Sequence, residues 1–414
     1  MIRYLLFIRR LFDIKNEKTN SKMKIGIKKY FKFPTWYVIL LLLCFYPYVF
    51  NQFFNLGSET VLLLVAMPIT GLLLFAGKNK IKGDIPPFLM KCVIAQVFVW
   101  VCYAVIHGDS SYITRIFFIL LSLLLLVFLR KRCALYHFSN AYNHFITLQA
   151  VLGVPIFFLF ALNLIQPLSS FHNIDDRECY FFGVTFSNAI TSGIIRIAGF
   201  FDEPGAFAFW GIYALVINKL TADNRKLEVA LIVSLLFTLS AAYFVQLLLY
   251  VVFFYGTKAK TMVPVVSVLA IVTFFTFRFL GQNEQLMYLT VERFQGGTIR
   301  SERNELTEEA KNVFAESPMF GIGAKNLQER GYFDDNPYEI PAKDGVVGFI
   351  ITYLPLLAVF FKYGMRNKKI FFALLILAAG YLQRPFHVNL LHSFMLYLLV
   401  MLIYYKSKGY EERC

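Results

Sequence analysis

The sequence predicts an all-α, polytopic helical membrane protein with about twelve transmembrane segments and a large outer loop that contains short amphipathic helices. Three observations predict it. Of the 414 residues, 58% are hydrophobic and only 16% charged, whereas a soluble domain carries about 25% charged residues. Apolar runs recur along the chain, and a helix needs roughly 20 such residues to cross about 30 Å of hydrocarbon. Short basic stretches separate the runs at alternate ends, so one topology places them all on a single side.

The candidate spans are 37–53, 60–76, 86–106, 112–129, 145–165, 204–217, 227–239, 241–255, 262–280, 345–361, 370–382 and 388–404. They define one transmembrane domain, 36–404, between a basic N-terminal segment, 1–35, and a short tail, 405–414. The head holds ten Lys or Arg against two acids. In this count it shares a side with Lys78, Lys80 and Lys82, Arg130 to Arg132, Lys219, Arg225 and Lys226, Lys258 and Lys260, Lys362 to Lys369, and the tail. The positive-inside rule makes that side the cytoplasm. The net charge of +15 is then mostly an orientation signal, with attraction to anionic lipid second; it says little about nucleic acid, and no nucleic-acid partner is expected. The first twelve residues are apolar and basic, but Arg9 and Arg10 spoil a cleavable signal peptide, and an amphipathic segment on the membrane surface is expected there.

Residues 227–255 admit two readings. A hairpin turning near Leu239 to Ala242 keeps the later basic loops inside, but its arms are too short for a full crossing and require bilayer thinning or a water-filled recess on the outer side. The competing count makes 183–201 a span and keeps 227–255 as one helix, at the cost of placing Arg196 within the membrane. The hairpin is preferred. The six cysteines have no paired or metal-like spacing and read as small hydrophobes. No nucleotide-binding glycine loop, metal motif or repeat appears, so no cofactor and no metal are expected.

Two outer segments, 166–203 and 281–344, hold 17 of the 26 acidic residues and nine of the 41 basic ones; their isolated arginines therefore stand out. In the second, Ser301 can cap a helix on which Leu306, Ala310, Val313 and Phe314 share one face, and Ser317-Pro318 stops it. Arg300 and Arg303 lie near its start, where free N–H groups favour an anion, although a merely solvated face explains them too. A glycine turn, Phe320-Gly321-Ile322-Gly323, follows and lets backbone approach backbone or ligand. The first segment ends in Arg196-Ile197-Ala198-Gly199 and Asp202-Glu203-Pro204, where helix capping suffices to explain the acids. Arg384 sits in a tight outward turn before His387; snorkelling to headgroup phosphate is its bland explanation.

In this order and spacing the pieces resemble the O-antigen polymerase and ligase superfamily, Wzy-like bacterial enzymes acting on lipid-linked glycans. The likeness rests on Arg196, Gly199 and Glu203-Pro204 before a span, on Arg303 and Ser317-Pro318-Met319-Phe320-Gly321-Ile322-Gly323, and on Asp344-Gly345-Val346-Val347-Gly348 after the loop. It covers roughly 186–361. Two departures are plain. The hairpin apex reads Ser240-Ala241 where the family often has Ser-Arg, and 324–344 lacks the histidine usual in the ligase branch, which favours a polymerase.

The resemblance implies a multi-pass protein of the bacterial cytoplasmic (inner) membrane with both termini cytoplasmic and the active site facing the periplasm. Its implied reaction is nucleotide-independent, inverting transfer of a glycan from undecaprenyl diphosphate to a second lipid-linked repeat unit, building O-antigen, capsular or exopolysaccharide. Donor and acceptor would both be undecaprenyl-diphosphate-linked glycans within membrane lipid, and a chain-length regulator is a further partner it allows. Arg196, Arg303 and Arg384 are the expected diphosphate ligands with Arg300 in reserve, because guanidinium groups stay charged and bind phosphate bidentately. Glu203 and Asp344 are the candidate bases, ahead of Glu339 and His387. Gly321, Gly323, Tyr332 and Tyr338 are candidate substrate contacts. The rivals are a ligase of the same family and a lipid-linked oligosaccharide flippase or other transporter, against which the lack of a visible repeat and the edge position of nearly every charge argue.

Overall fold

A computed structural model describes residues 40–42, 62–70, 85–131, 133–172, 178–191, 194–201, 203–256, 298–330, 336–384 and 389–409, with the backbone alone at 188–191, 194 and 298–305. The candidate span 37–53 falls largely, about half of 60–76, and 262–280 wholly outside these residues, as do the head and the last half of the tail.

The described chain is mostly helical. Helix α1 (Pro87–His107) has proline in its first turn and ends on Gly108 in the left-handed region, the usual C-terminal arrangement. Asp109 accepts from the N–H and hydroxyl of Ser111 and opens α2 (Ser111–Lys131). Helix α3 (Leu135–Ala161) begins ten residues before the expected span. After the outer segment come α4 (Pro204–Leu220), α5 (Arg225–Leu235) and α6 (Ala241–Tyr255). The loop helices are α7 (Thr298–Glu316) and α8 (Ala324–Glu329), followed by α9 (Glu339–Lys362), α10 (Lys368–Gln383) and α11 (Leu390–Ser407). Asn224, Asn367 and Asn389 accept backbone N–H groups at the starts of α5, α10 and α11, satisfying donors the helices leave open.

Five of these helices, α1, α2, α3, α9 and α11, are long and apolar enough to cross a membrane. Helix α4 is buried along its whole length and forms the centre on which α3, α5, α6 and α10 pack. The basic helix ends gather together at one pole: Lys369 pairs with Asp223 at 3.1 Å, Lys406 donates to the Leu220 carbonyl, and Arg130 lies over the Tyr405 ring.

Residues 227–255 form a hairpin. A 3-10 turn (Leu236–Thr238) and Leu239 at φ 47° reverse the chain. The arms are tied by Tyr243 donating to the Ile232 carbonyl and by Glu228 accepting from Tyr250 and Tyr255, each at 2.5 Å. Lys219 meets Glu228 and Tyr255 at the base. At 1.5 Å per residue the 15-residue α6 is about 22 Å long, so the hairpin returns to its starting pole without a full crossing.

The all-α expectation needs one correction. Within 166–203 the chain builds a four-stranded antiparallel meander, β1 (Ser169–His172), β2 (Glu178–Phe181), β3 (Phe186–Thr191) and β4 (Ile194–Gly199). Ile195 and Ile197 are buried, while Ala198 joins Phe181 and Phe186 in a separate aromatic cluster, the period-2 division that a covered sheet requires. This also removes 183–201 as a helical span. A second correction is that Cys133 is disulfide-bonded rather than an unpaired small hydrophobe, while Cys92 and Cys102 carry free thiols.

Gly153 lets β4 dock on α3, since a Cβ there would stand 2.6 Å from Ile197 Cγ2. Gly153→Val should therefore lower the thermal midpoint of the purified protein, through an overpacking cost of about 1–3 kcal/mol. Gly364→Ala, whose nearest neighbour is 3.5 Å away, should leave the midpoint nearly unchanged.

Candidate functional site

Two clusters form at the pole opposite the basic ends. The first is built on the pair of Arg384 and Glu203, with Arg196 on the strand that leads to it. Strand β4 ends at Gly199, φ 60°, where a Cβ would meet Gln149 Oε1 at 2.6 Å and the Phe207 ring at 2.7 Å. Gln149 Oε1 accepts the Phe200 N–H at 2.9 Å. That turn delivers Glu203 to the start of α4, where its side chain makes no capping bond. Instead Glu203 Oε2 accepts from Arg384 Nη2 at 2.5 Å, with both side chains largely buried. Capping therefore does not account for this acid.

Arg384 lies directly on the helix backbone. Gly205 is the second residue of α4, and a Cβ there would stand 2.6 Å from Arg384 Nη2 and 2.9 Å from Cζ. A guanidinium and the open N–H groups of a 17-residue helix thus share one small volume, both favouring an anion. Arg196, on β4, donates from Nε to the Thr238 carbonyl at the hairpin apex, 3.0 Å away. The apex packs against both β4 and α4, so Arg196 is held at a turn that lies beside the buried helix that Glu203 opens.

The second cluster surrounds Asp344, which is fully buried. Arg115 Nη1 reaches its Oδ2 at 2.6 Å and Nη2 its Oδ1 at 3.3 Å, and the Tyr112 hydroxyl donates to Oδ1 at 2.9 Å. Tyr103 donates to the Asp344 carbonyl at 2.6 Å. The guanidinium lies 4.7 Å from the Trp100 ring and 4.5 Å from that of Tyr112. A carboxylate so enclosed has no oxygen to offer an acceptor hydroxyl, which argues against Asp344 as the base and makes it a structural anchor.

The loop glycines serve that anchor. Gly345, φ 66°, breaks α9 at the start of its apolar part. A Cβ on Gly321 would stand 2.3 Å from the Lys343 carbonyl, and one on Gly345 2.3 Å from that of Met319. The two backbones cross in contact and bond through Ile322 to Ala342, Gly323 to Lys343, Val346 to Pro318 and Val347 to Met319, N–H to carbonyl. Gly323 has the His107 ring 2.9 Å from where its Cβ would be. Both glycines of the turn are therefore consumed by close packing rather than presented to a substrate.

The other expected residues divide. Helix α7 starts at Thr298 and passes through Ser301, which is therefore inside it and no cap. Ala310 and Val313 are buried, with Leu306 and Phe314 beside them as the spacing predicts, and Tyr338 packs on the same cluster with its ring 5.5 Å from Lys311 Nζ. Glu339 pairs with Lys343 at 3.1 Å. The side chains of Arg300 and Arg303, and the whole of Tyr332 and His387, lie outside the described residues. Sequence reasoning missed Arg115 and Gln149; the signal was a lone charge and a lone amide inside apolar runs. Among the described residues no group of His, Cys, Asp and Glu is placed to hold a metal ion.

The anchor is open to test through stability. Because an unpaired buried charge costs about 3–5 kcal/mol, Asp344→Leu and Arg115→Met should each destabilise strongly. The Asp344→Leu, Arg115→Met double variant should be less destabilised than the sum, as read from thermal midpoints. Asp109 gives a pH dependence. Burial alone would raise its pKa, but hydrogen bonds from Ser111 and the Lys325 N–H hold the carboxyl below its ordinary 3.8. Its contribution is full above that value and is lost as pH falls through the lowered one, so Asp109→Asn should flatten the acid limb of midpoint against pH.

No protein-family model matches the chain, and neither a curated protein nor a solved structure matches it.

Proposed function

We propose that this protein is a membrane glycosyltransferase that polymerises undecaprenyl-diphosphate-linked repeat units at the outer face of the bacterial cytoplasmic membrane, within the twelve-span topology expected from the sequence. The observation that carries the reading is the seat of Arg384. Its guanidinium lies over Gly205 in the first turn of buried α4 and is held by Glu203, while Arg196 is fixed on the hairpin apex that packs on the same helix. Such a site favours a doubly charged phosphate group at the end of a lipid chain.

In the proposed reaction the bond between the donor's anomeric carbon and the diphosphate oxygen breaks, and the bonding pair leaves with the diphosphate. The acceptor hydroxyl oxygen attacks the opposite face of that carbon, which inverts it, and its proton passes to a carboxylate. Guanidinium contacts that strengthen as charge grows on the diphosphate lower the barrier. Glu203 is the base in this scheme: when the diphosphate takes over Arg384, the carboxylate is released from its ion pair beside the reacting centre.

Transport of the same lipid-linked glycan is the rival from another class, and the break in α9 and the short hairpin are features that transporters also use. Against it, Arg115 and Asp344 neutralise each other near helix ends, so this buried pair offers no free charge to a path between the poles.

The test is chain growth by the reconstituted protein on lipid-linked repeats with no other acceptor. Charge-assisted hydrogen bonds are worth about 1.5–3 kcal/mol, so Arg384→Ala and Arg196→Ala should each lower the rate about 10- to 150-fold. Full activity in both folded variants refutes the diphosphate reading, and consumption of the glycan only when a lipid A core or protein acceptor is added identifies a ligase.

A further inference from the structure

Beneath the Arg115–Asp344 pair, between α1, α2, α9 and α11, lies a cavity of about 30 Å³ lined by Gln96, Arg115, Thr352, His392, Ser393 and Tyr397, with Trp100, Ile119 and Leu396 closing it. Its walls are deep in the protein: Gln96 is 3% exposed, Arg115 4%, His392 2% and Tyr397 1%. Most of the polar groups around it are already bonded. Tyr397 donates to Gln96 Oε1 at 2.6 Å, Gln96 Nε2 donates to the Ile351 carbonyl at 2.8 Å, and Thr352 donates to the Gly348 carbonyl at 2.8 Å. Two nitrogens are not. Among the described residues Arg115 Nε and His392 Nε2 are buried with no hydrogen-bond partner, and both belong to residues lining the cavity.

We propose that this cavity is an internal hydration site, in which one or two water molecules accept from Arg115 Nε and bond His392 Nε2, completing the anchor that holds Asp344.

The chemistry selects water over other small ligands. A cation would be repelled by the guanidinium in the wall. An anion would need positive charge that Asp344 has already neutralised through both terminal nitrogens of Arg115. A water molecule needs at least about 10–15 Å³ and two or more polar partners, and the cavity offers both. Imidazole Nε2 can accept from water or donate to it, so the site is satisfied in either tautomer. An orphan donor on a buried guanidinium is also costly, so the water stabilises the fold. It fixes Arg115 from the side opposite Asp344 and links α11 to the break in α9.

The site stands apart from the glycosyl-transfer reading and is tested without any activity. Radiolytic footprinting of the full-length protein in ¹⁸O-labelled water generates hydroxyl radicals at bound waters as well as in bulk, and the label stays on the nearest side chains. Trp100 and Tyr397 should be labelled several-fold faster than Tyr213 and Tyr243, which are equally buried but line no part of this cavity. Equal rates at all four residues overturn the proposal. Ser393→Val, which narrows the cavity, should bring Trp100 and Tyr397 down to the control rate. Undiminished labelling in the folded variant also overturns it, and the wild-type comparison decides the matter where the variant does not fold.

Discussion

The ion pair between Arg115 and Asp344 is the constraint on which the outer pole of this protein is built. Taking a guanidinium and a carboxylate out of water is expensive, and their attraction compensates only when geometry is good and the remaining donors and acceptors are met. Here the two terminal nitrogens take the two carboxylate oxygens, Tyr112 adds a donor, and Trp100 and Tyr112 offer ring faces to the cation. The position of Asp344 in turn fixes its neighbour Gly345, whose left-handed backbone breaks α9 and receives the Pro318 to Gly323 turn. One buried pair thus joins the ends of α1 and α2, the break in α9 and the attachment of the outer loop.

Much of this fold was legible because membrane helices advertise themselves by length and composition. The spans expected at 86–106, 112–129 and 241–255 appear within two residues as α1, α2 and α6, and the hairpin reading of 227–255 stands because basic residues at its two flanks had to share a side. The sheet was hidden for an equally physical reason. Its strands are four to six residues long, so the Ile195, Arg196, Ile197 alternation is too brief to stand out inside a segment already marked as an outer loop. Aromatic and β-branched residues between turn signals were its only trace.

The chemistry of the site was half legible. Glycines and arginines at particular spacings could be singled out, but their partners lie far away in sequence: Glu203 and Arg384 are separated by 181 positions and Arg115 and Asp344 by 229. Composition cannot tell a free carboxylate from one locked to a guanidinium across the fold. Hence Asp344 and Glu203 looked equivalent as bases, and only packing separates them. Asp344 is sealed inside an anchor, whereas Glu203 retains some exposure beside an arginine that sits on open helix N–H groups. The same distinction reassigns Gly321 and Gly323, whose missing side chains make room for protein rather than ligand.

The short hairpin gives the proposed site its location. Backbone polar groups cannot face hydrocarbon unsatisfied, so a chain reversal partway across a membrane must be covered by protein or open to water. Here β4 covers one side of the apex, and Arg196 takes up the Thr238 carbonyl that the turn leaves open. The same reversal keeps α5 and α6 short, and the apex packs on α4, the helix whose start carries Glu203 and Arg384. On the proposed reading, that arrangement sets guanidinium groups at the depth where a lipid's diphosphate resides while its isoprenoid chain stays in hydrocarbon. A sheet at this position, rather than an irregular loop, holds Arg196 rigidly against the apex, and rigidity is what a site stabilising developing charge requires.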